Sequence, residues 1–218
     1  VLASAGGGIV GTAGNATLVI AKGTTEARVD KGSELQVGSL LVSADALQQF
    51  SANALALAGG LVGVGANFGL VLNQAVTRAW VGEALNASNS LADSRVQAGS
   101  VTLRARGNTE LHSNLVGAAA GGGAVAGSAL VQVVETTTEA GASQALFGTP
   151  AAPLSSLDIN AHDNLRVTGN VGSGVVGAAA LGASANVVVA NSATRALLDR
   201  STVHAGSLSV NALREGYA

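Results

Sequence analysis

Gly99-Ser100-Val101-Thr102-Leu103-Arg104-Ala105 recurs along the chain as Gly38-Ser39-Leu40-Leu41-Val42-Ser43-Ala44, Ser155-Ser156-Leu157-Asp158-Ile159-Asn160-Ala161 and Gly206-Ser207-Leu208-Ser209-Val210-Asn211-Ala212. Positions one, three and five after the serine are apolar in every copy, the period of a strand with one buried face. A second block recurs as Thr25-Glu26-Ala27, Thr77-Arg78-Ala79, Thr138-Glu139-Ala140 and Thr194-Arg195-Ala196. From the serine of the first block to the threonine of the second the spacing is 38 positions in each complete copy, whereas from threonine to the next serine it is 14, 23, 18 and 13. A rigid spacing with poor identity is what stacked coils impose, because one residue gained would throw every side chain out of line with its neighbours above and below. The sequence therefore predicts an all-β chain, a β-solenoid (parallel β-helix) of about four repeats of 51–61 residues with variable loops on one edge.

The array reads as a single continuous domain over 1–218 and a fragment of something longer, with units at about 1–38, 39–99, 100–155, 156–206 and 207–218. Composition agrees with stacking rather than with a globular core. Hydrophobic residues make up 48%, but aromatics only 2% and charged residues 11%, beside 30 glycines. Such a core must be thin. A net charge of −2 supplies no basic stripe for nucleic acid, and the lack of cysteine excludes disulfides and thiolate metal sites. Both prolines, Pro150 and Pro153, fall in one variable segment, as expected if the fixed block is hydrogen-bonded on both sides.

Ahead of each threonine lie Leu18 and Ile20, Leu70 and Leu72, Val131 and Val133, Val187 and Val189. Beyond it, Ala27 and Val29, Ala79 and Val81, Ala140 and Ala142, Ala196 and Leu198 are apolar one residue out of phase. This predicts a bulge or corner near the threonine. The uncharged Gly/Ala-rich stretches read as strands buried on both sides rather than as membrane spans, since they interrupt fixed β blocks and lack basic flanks. The variable segment 82–98 is polar and without pattern.

Two columns suggest structural ladders: Asn53, Asn114 and Asn170, whose stacked amides would satisfy one another, and Gly60, Gly121 and Gly177, marking a corner or a close approach of backbones. A third, Glu26, Arg78, Glu139 and Arg195, alternates in sign from unit to unit, which favours one coil per unit. Catalytic and metal chemistry find little support. His112, His162 and His204 have no ligand spacing, and Glu110, Glu135, Glu139, Asp158 and Asp163 lie in different columns. No cofactor is expected, and no enzymatic activity. Trp80, before the longest variable segment and near Asn86, Asn89, Asp93 and Arg95, is a candidate platform for a sugar or partner protein; alternatively it covers the base of that segment.

The cycle of Gly-Ser-Leu-x-Val-x-Ala, Gly/Ala-rich stretch, Val-x-Val and Thr-x-Ala, as in Ser156 to Ala161 followed by Ala178 to Ala196, resembles the repeats of filamentous-haemagglutinin-like and leukotoxin-type bacterial surface adhesins. The resemblance implies a structural shaft, secreted or held at the outer membrane of a Gram-negative bacterium, serving attachment or biofilm cohesion. Partners would be a host-cell or matrix protein or glycan, or biofilm polysaccharide, met through other regions of the parent protein. Self-association stays open, and neither nucleic acid nor a membrane span is expected. The alternative is a carbohydrate-binding or carbohydrate-cleaving β-helix module.

Overall fold

The computed structural model describes residues 2–82 and 93–217. Nine strands follow in order: β1 (Leu2–Gly6), β2 (Val10–Asp30), β3 (Glu34–Gly59), β4 (Val62–Gly82), β5 (Ser94–Ser143), β6 (Ala145–Phe147), β7 (Leu154–Asp199), β8 (Thr202–Val203) and β9 (Ala205–Tyr217). Every pairing between them is parallel. Val10 lies beside Val62, Ser39 beside Ser100, Ser100 beside Ser156 and Ser156 beside Ser207. Each sequence unit is therefore one turn of a parallel β-solenoid. The next turn arrives 52, 61, 56 or 51 residues later, and the length differences fall outside the serine-to-threonine block.

Each turn runs out along a first side, 100–120 in β5, turns at a glycine corner, and returns along a second side, 123–143. On the first side Val101, Leu103, Ala105, Leu111, Leu115 and Ala119 are buried; on the second it is Ala124, Ala126, Leu130, Val134, Ala140 and Ala142. The switch from odd to even positions happens at the corner. The phase slip predicted at the threonine is thus corrected: the strand passes through Thr77 and Thr138 without a bulge, and both hydroxyl-bearing side chains are buried. It is Leu70, Leu72, Val131 and Val133 that point outward. Their apolar character is not evidence of burial, and the Gly/Ala-rich strands are covered on one face only.

The interior tapers. At the broad end Val101, Leu103, Leu157, Ile159, Phe147 and their neighbours form the largest cluster, and each such side chain stabilises by about 1.5–3 kcal/mol when fully buried. The middle holds Leu111, Leu115, Leu130 and Val134, and the narrow end only Ala58, Ala119, Ala124 and Ala126. There the two sides touch backbone to backbone. A Cβ on Gly65 would stand 2.6 Å from the carbonyl oxygen of Ala118, and one on Gly117 2.7 Å from that of Gly127. Glycine and alanine are what such spacing permits.

The broad end is closed by a short third side that the sequence pattern did not reveal. Within the variable segments, 34–37 pairs with 95–98, β6 with 94–96 and β8 with β6. This stacks Leu35, Val96, Phe147 and Val203 in one inward column, with Val96 and Phe147 buried. The chain enters this side through left-handed residues: Gly32 (φ 78°), Gly82 (φ 88°), Gln144 (φ 53°) and Arg200 (φ 43°).

Candidate functional site

Side chains repeat at the solenoid spacing, so the chemistry of each face is that of its columns. The asparagine column forms a ladder on the outer face of the first side: Asn114 Nδ2 donates to Asn53 Oδ1 and Asn170 Nδ2 to Asn114 Oδ1, each at 2.9 Å. These amides are exposed rather than buried. The ladder aligns turns at the surface instead of rescuing polar groups in a core. A polar clasp inside does that work. Asn15 and Asn67 donate across the interior to the carbonyls of Leu55 and Val116, both at 2.6 Å, and Ser128 to that of Gly172 at 3.0 Å. Each turn's inward residue is thereby tied to the opposite side of the next turn. The recurrence of Asn15, Asn67 and Ser128 at repeat spacing was the available signal.

At the corner, Gly60, Gly121 and Gly177 answer a steric demand. A Cβ on any of them would run into the carbonyl oxygen of the glycine one turn earlier: Gly8, Gly60 and Gly121 respectively. Gly8 and Gly60 also have positive φ.

The alternating column is an ion-pair ladder centred on Glu139. Arg78 Nε lies 2.8 Å from its Oε2 and Arg195 Nη1 3.2 Å from its Oε1. Though on the outer face, the Glu139 side chain is only 6% exposed, with the arginines half exposed on either side. Glu26 stacks in register below Arg78, and Arg28 Nη1 lies 3.8 Å from its Oε1.

The carboxylates do not converge. Glu110 accepts from Gln49 at 3.1 Å, Glu135 from Gln74 at 2.9 Å, and Glu139 is held as above. Asp158 lies on the outer face of the first side. Asp163 is inside, 1% exposed, and accepts from Thr136 and Thr138 at 2.9 Å each and from Ser192 at 2.6 Å. Three hydroxyls satisfy this carboxylate where no solvent reaches, which makes it a core fastener. Arg106 and His162 share one column and His112 stands in another. Among the described residues no group of three or more His, Asp or Glu is arranged to hold a metal ion.

Trp80 is not an exposed platform. It is 4% exposed and lies over Gly141, where a Cβ would come within 2.6 Å of its Cζ3. The ring occupies space that a side chain one turn on would need. Of its proposed companions, Asn86 and Asn89 lie outside the described residues, and Asp93 is exposed. Arg95 lines an open groove of about 560 Å³ on the third side with Glu34, Gln36, Gln97 and Thr149; Trp80 is not among its walls.

No helix among the described residues is long and apolar enough to cross a membrane. Comparison with protein-family models, curated proteins and solved structures returns no match. The repeating columns of the outer faces are the candidate functional surface.

Proposed function

We propose that this chain is a shaft segment of a large bacterial adhesin, secreted or held at the outer membrane of a Gram-negative cell, whose task is to carry binding regions away from that surface for attachment or biofilm cohesion. The observation that carries the reading is the unbroken parallel register of one turn per repeat, with variable length admitted only at the third side. The repeat pattern's resemblance to filamentous adhesins supplies the biological setting. A solenoid held by the same ladders at every turn transmits load along its axis, because each turn is bonded chiefly to the turns before and after it.

Two measurements test it. In single-molecule pulling the chain should resist load and release contour length in whole turns of 51–61 residues, about 17–22 nm each at 3.3–3.6 Å per residue. Unfolding at negligible force, or in steps unrelated to a turn, would remove the mechanical role. Antibodies against the chain should label intact cells of the source bacterium; labelling only after lysis would remove the surface assignment.

A further inference from the structure

The outer face of the second side carries an uncharged, apolar field. Its outward columns read Thr12, Val64, Val125, Leu181; then Gly14, Ala66, Gly127, Ala183; then Ala16, Phe68, Ala129, Ala185; then Leu18, Leu70, Val131, Val187; and finally Ile20, Leu72, Val133, Val189. Thr12 is its only polar member. In the inner turns, where a neighbouring turn lies on each side, Val64 is still 37% exposed, Val125 45% and Phe68 48%. The field ends at the polar column of Lys22, Gln74, Glu135 and Asn191.

We infer that this face is where a second copy of the chain packs, side by side and pointing the same way. Size is the first argument. Five columns, about 10 residues at 3.3 Å, by four turns at about 4.8 Å give roughly 630 Å² per copy, so about 1,270 Å² in all, at the lower end of specific interfaces. A longer run of turns would enlarge it in proportion. Relief is the second. Two ridges, one at Val64 and Val125 and a broader one at Leu70, Leu72, Val131 and Val133, flank a trough of glycine and alanine that Phe68 alone interrupts. A two-fold axis parallel to the solenoid, passing over the column of Phe68 and Ala129, sets the trough of Ala66 and Gly127 against the partner's ridge of Leu70 and Val131, and the reverse, while Val64 and Val125 meet Leu72 and Val133 only at the two margins. Phe68 then meets its symmetry mate, and sheets about 10 Å apart interdigitate. Copies facing in opposite directions instead set ridge on ridge and leave the troughs empty. The third argument is chemical: the Lys22 and Glu135 column gives the uncharged field a polar border along one edge, as the rims of protein interfaces have.

Sedimentation of the whole chain at rising concentration should show a monomer–dimer equilibrium. Val131→Lys should weaken it on the order of 100-fold with the circular dichroism spectrum unchanged, because the side chain is outward. A chain that stays monomeric, or a Val131→Lys variant that dimerises as well as the parent, overturns the proposal. So does a monomer that co-sediments with neutral phosphatidylcholine vesicles, which would make the field a lipid-facing surface. The native chain has no cysteine, so Ala16→Cys and Ala185→Cys, in one column but at opposite ends, report direction through a short bis-maleimide. Links joining 16 to 16 and 185 to 185 are expected; links joining only 16 to 185 overturn the same-way arrangement.

Discussion

At Gly121 a single hydrogen atom in place of a methyl group decides whether two turns can stack. Its Cα lies so close to the carbonyl of Gly60 that an added Cβ would also approach the carbonyls of Gly123 and Leu61, at 3.1 Å each. None of these is a flexible side chain that can swing away. Gly121→Ala should therefore destabilise the fold by about 1–3 kcal/mol, the usual cost of forcing a methyl into a packed interior. Gly38→Ala, with nothing within 4 Å of its Cβ, should cost under about 0.5 kcal/mol. Urea denaturation of both variants measures the difference; equal losses would mean that the corner relaxes and that the column is not sterically required. The glycine column was legible in the sequence because the demand recurs at every turn. Trp80 was not. Its ring sits over Gly141, which belongs to another turn and leaves the space open because it lacks a side chain.

At the scale of the strand, the serine-to-threonine block could be read because its inward residues keep a period of two and its length is constant. Two features defeated the same reasoning. Leu70, Leu72, Val131 and Val133 are apolar but outward, so hydrophobicity alone put the strand in the wrong phase; Asn67, Thr77, Ser128 and Thr138, inward and polar, compounded the error. The third side escaped notice because its strands are as short as Ala145–Phe147 and Thr202–Val203, and segments of unequal length separate them. Pairing with an existing stack, not local pattern, makes them strands. Side-chain bonds between strands carry a pH dependence. Burial opposes a charge on Asp45, yet the Ser43 hydroxyl at 2.7 Å and the Arg104 guanidinium at 3.2 Å, with Arg106 nearby, together hold its pKa below the usual 3.8. A carboxylate with a lowered folded pKa adds stability above its unfolded value and loses it as pH falls through the folded one. The parent should thus lose more stability than Asp45→Asn on going from neutral pH to below about pH 3.8, by a few tenths of a kcal/mol because the side chain is half exposed. Parallel melting curves at both pH values check this; identical acid losses would show that the pair contributes nothing.

At the scale of the molecule, a solenoid should tolerate removal of a complete turn, and the charge column makes the consequence specific. Deleting residues 100–155 joins Gly99 to Ser156 and keeps every column aligned, with Leu157 and Ile159 landing on Leu40 and Val42, Asn170 on Asn53 and Gly177 on Gly60. It also removes Glu139 and sets Arg195 upon Arg78. In the full chain Arg195→Glu places a second carboxylate against the nearly buried Glu139 and should destabilise; in the shortened chain the same substitution restores an opposite-charge pair with Arg78 and should stabilise. Each effect should be about 0.2–1 kcal/mol, the scale of cross-strand charge pairs that solvent partly screens. Other consequences of the deletion, such as the loss of the Thr136 and Thr138 hydroxyls from Asp163, are common to both members of the shortened pair and drop out of the comparison. The measurement is the difference in urea midpoint between arginine and glutamate at position 195 in each background. A reversal of sign follows only if a residue's neighbour is set by its column and not by its distance along the chain. The same sign in both backgrounds would mean that the turns do not stack in register, and the mechanical role would lose its foundation.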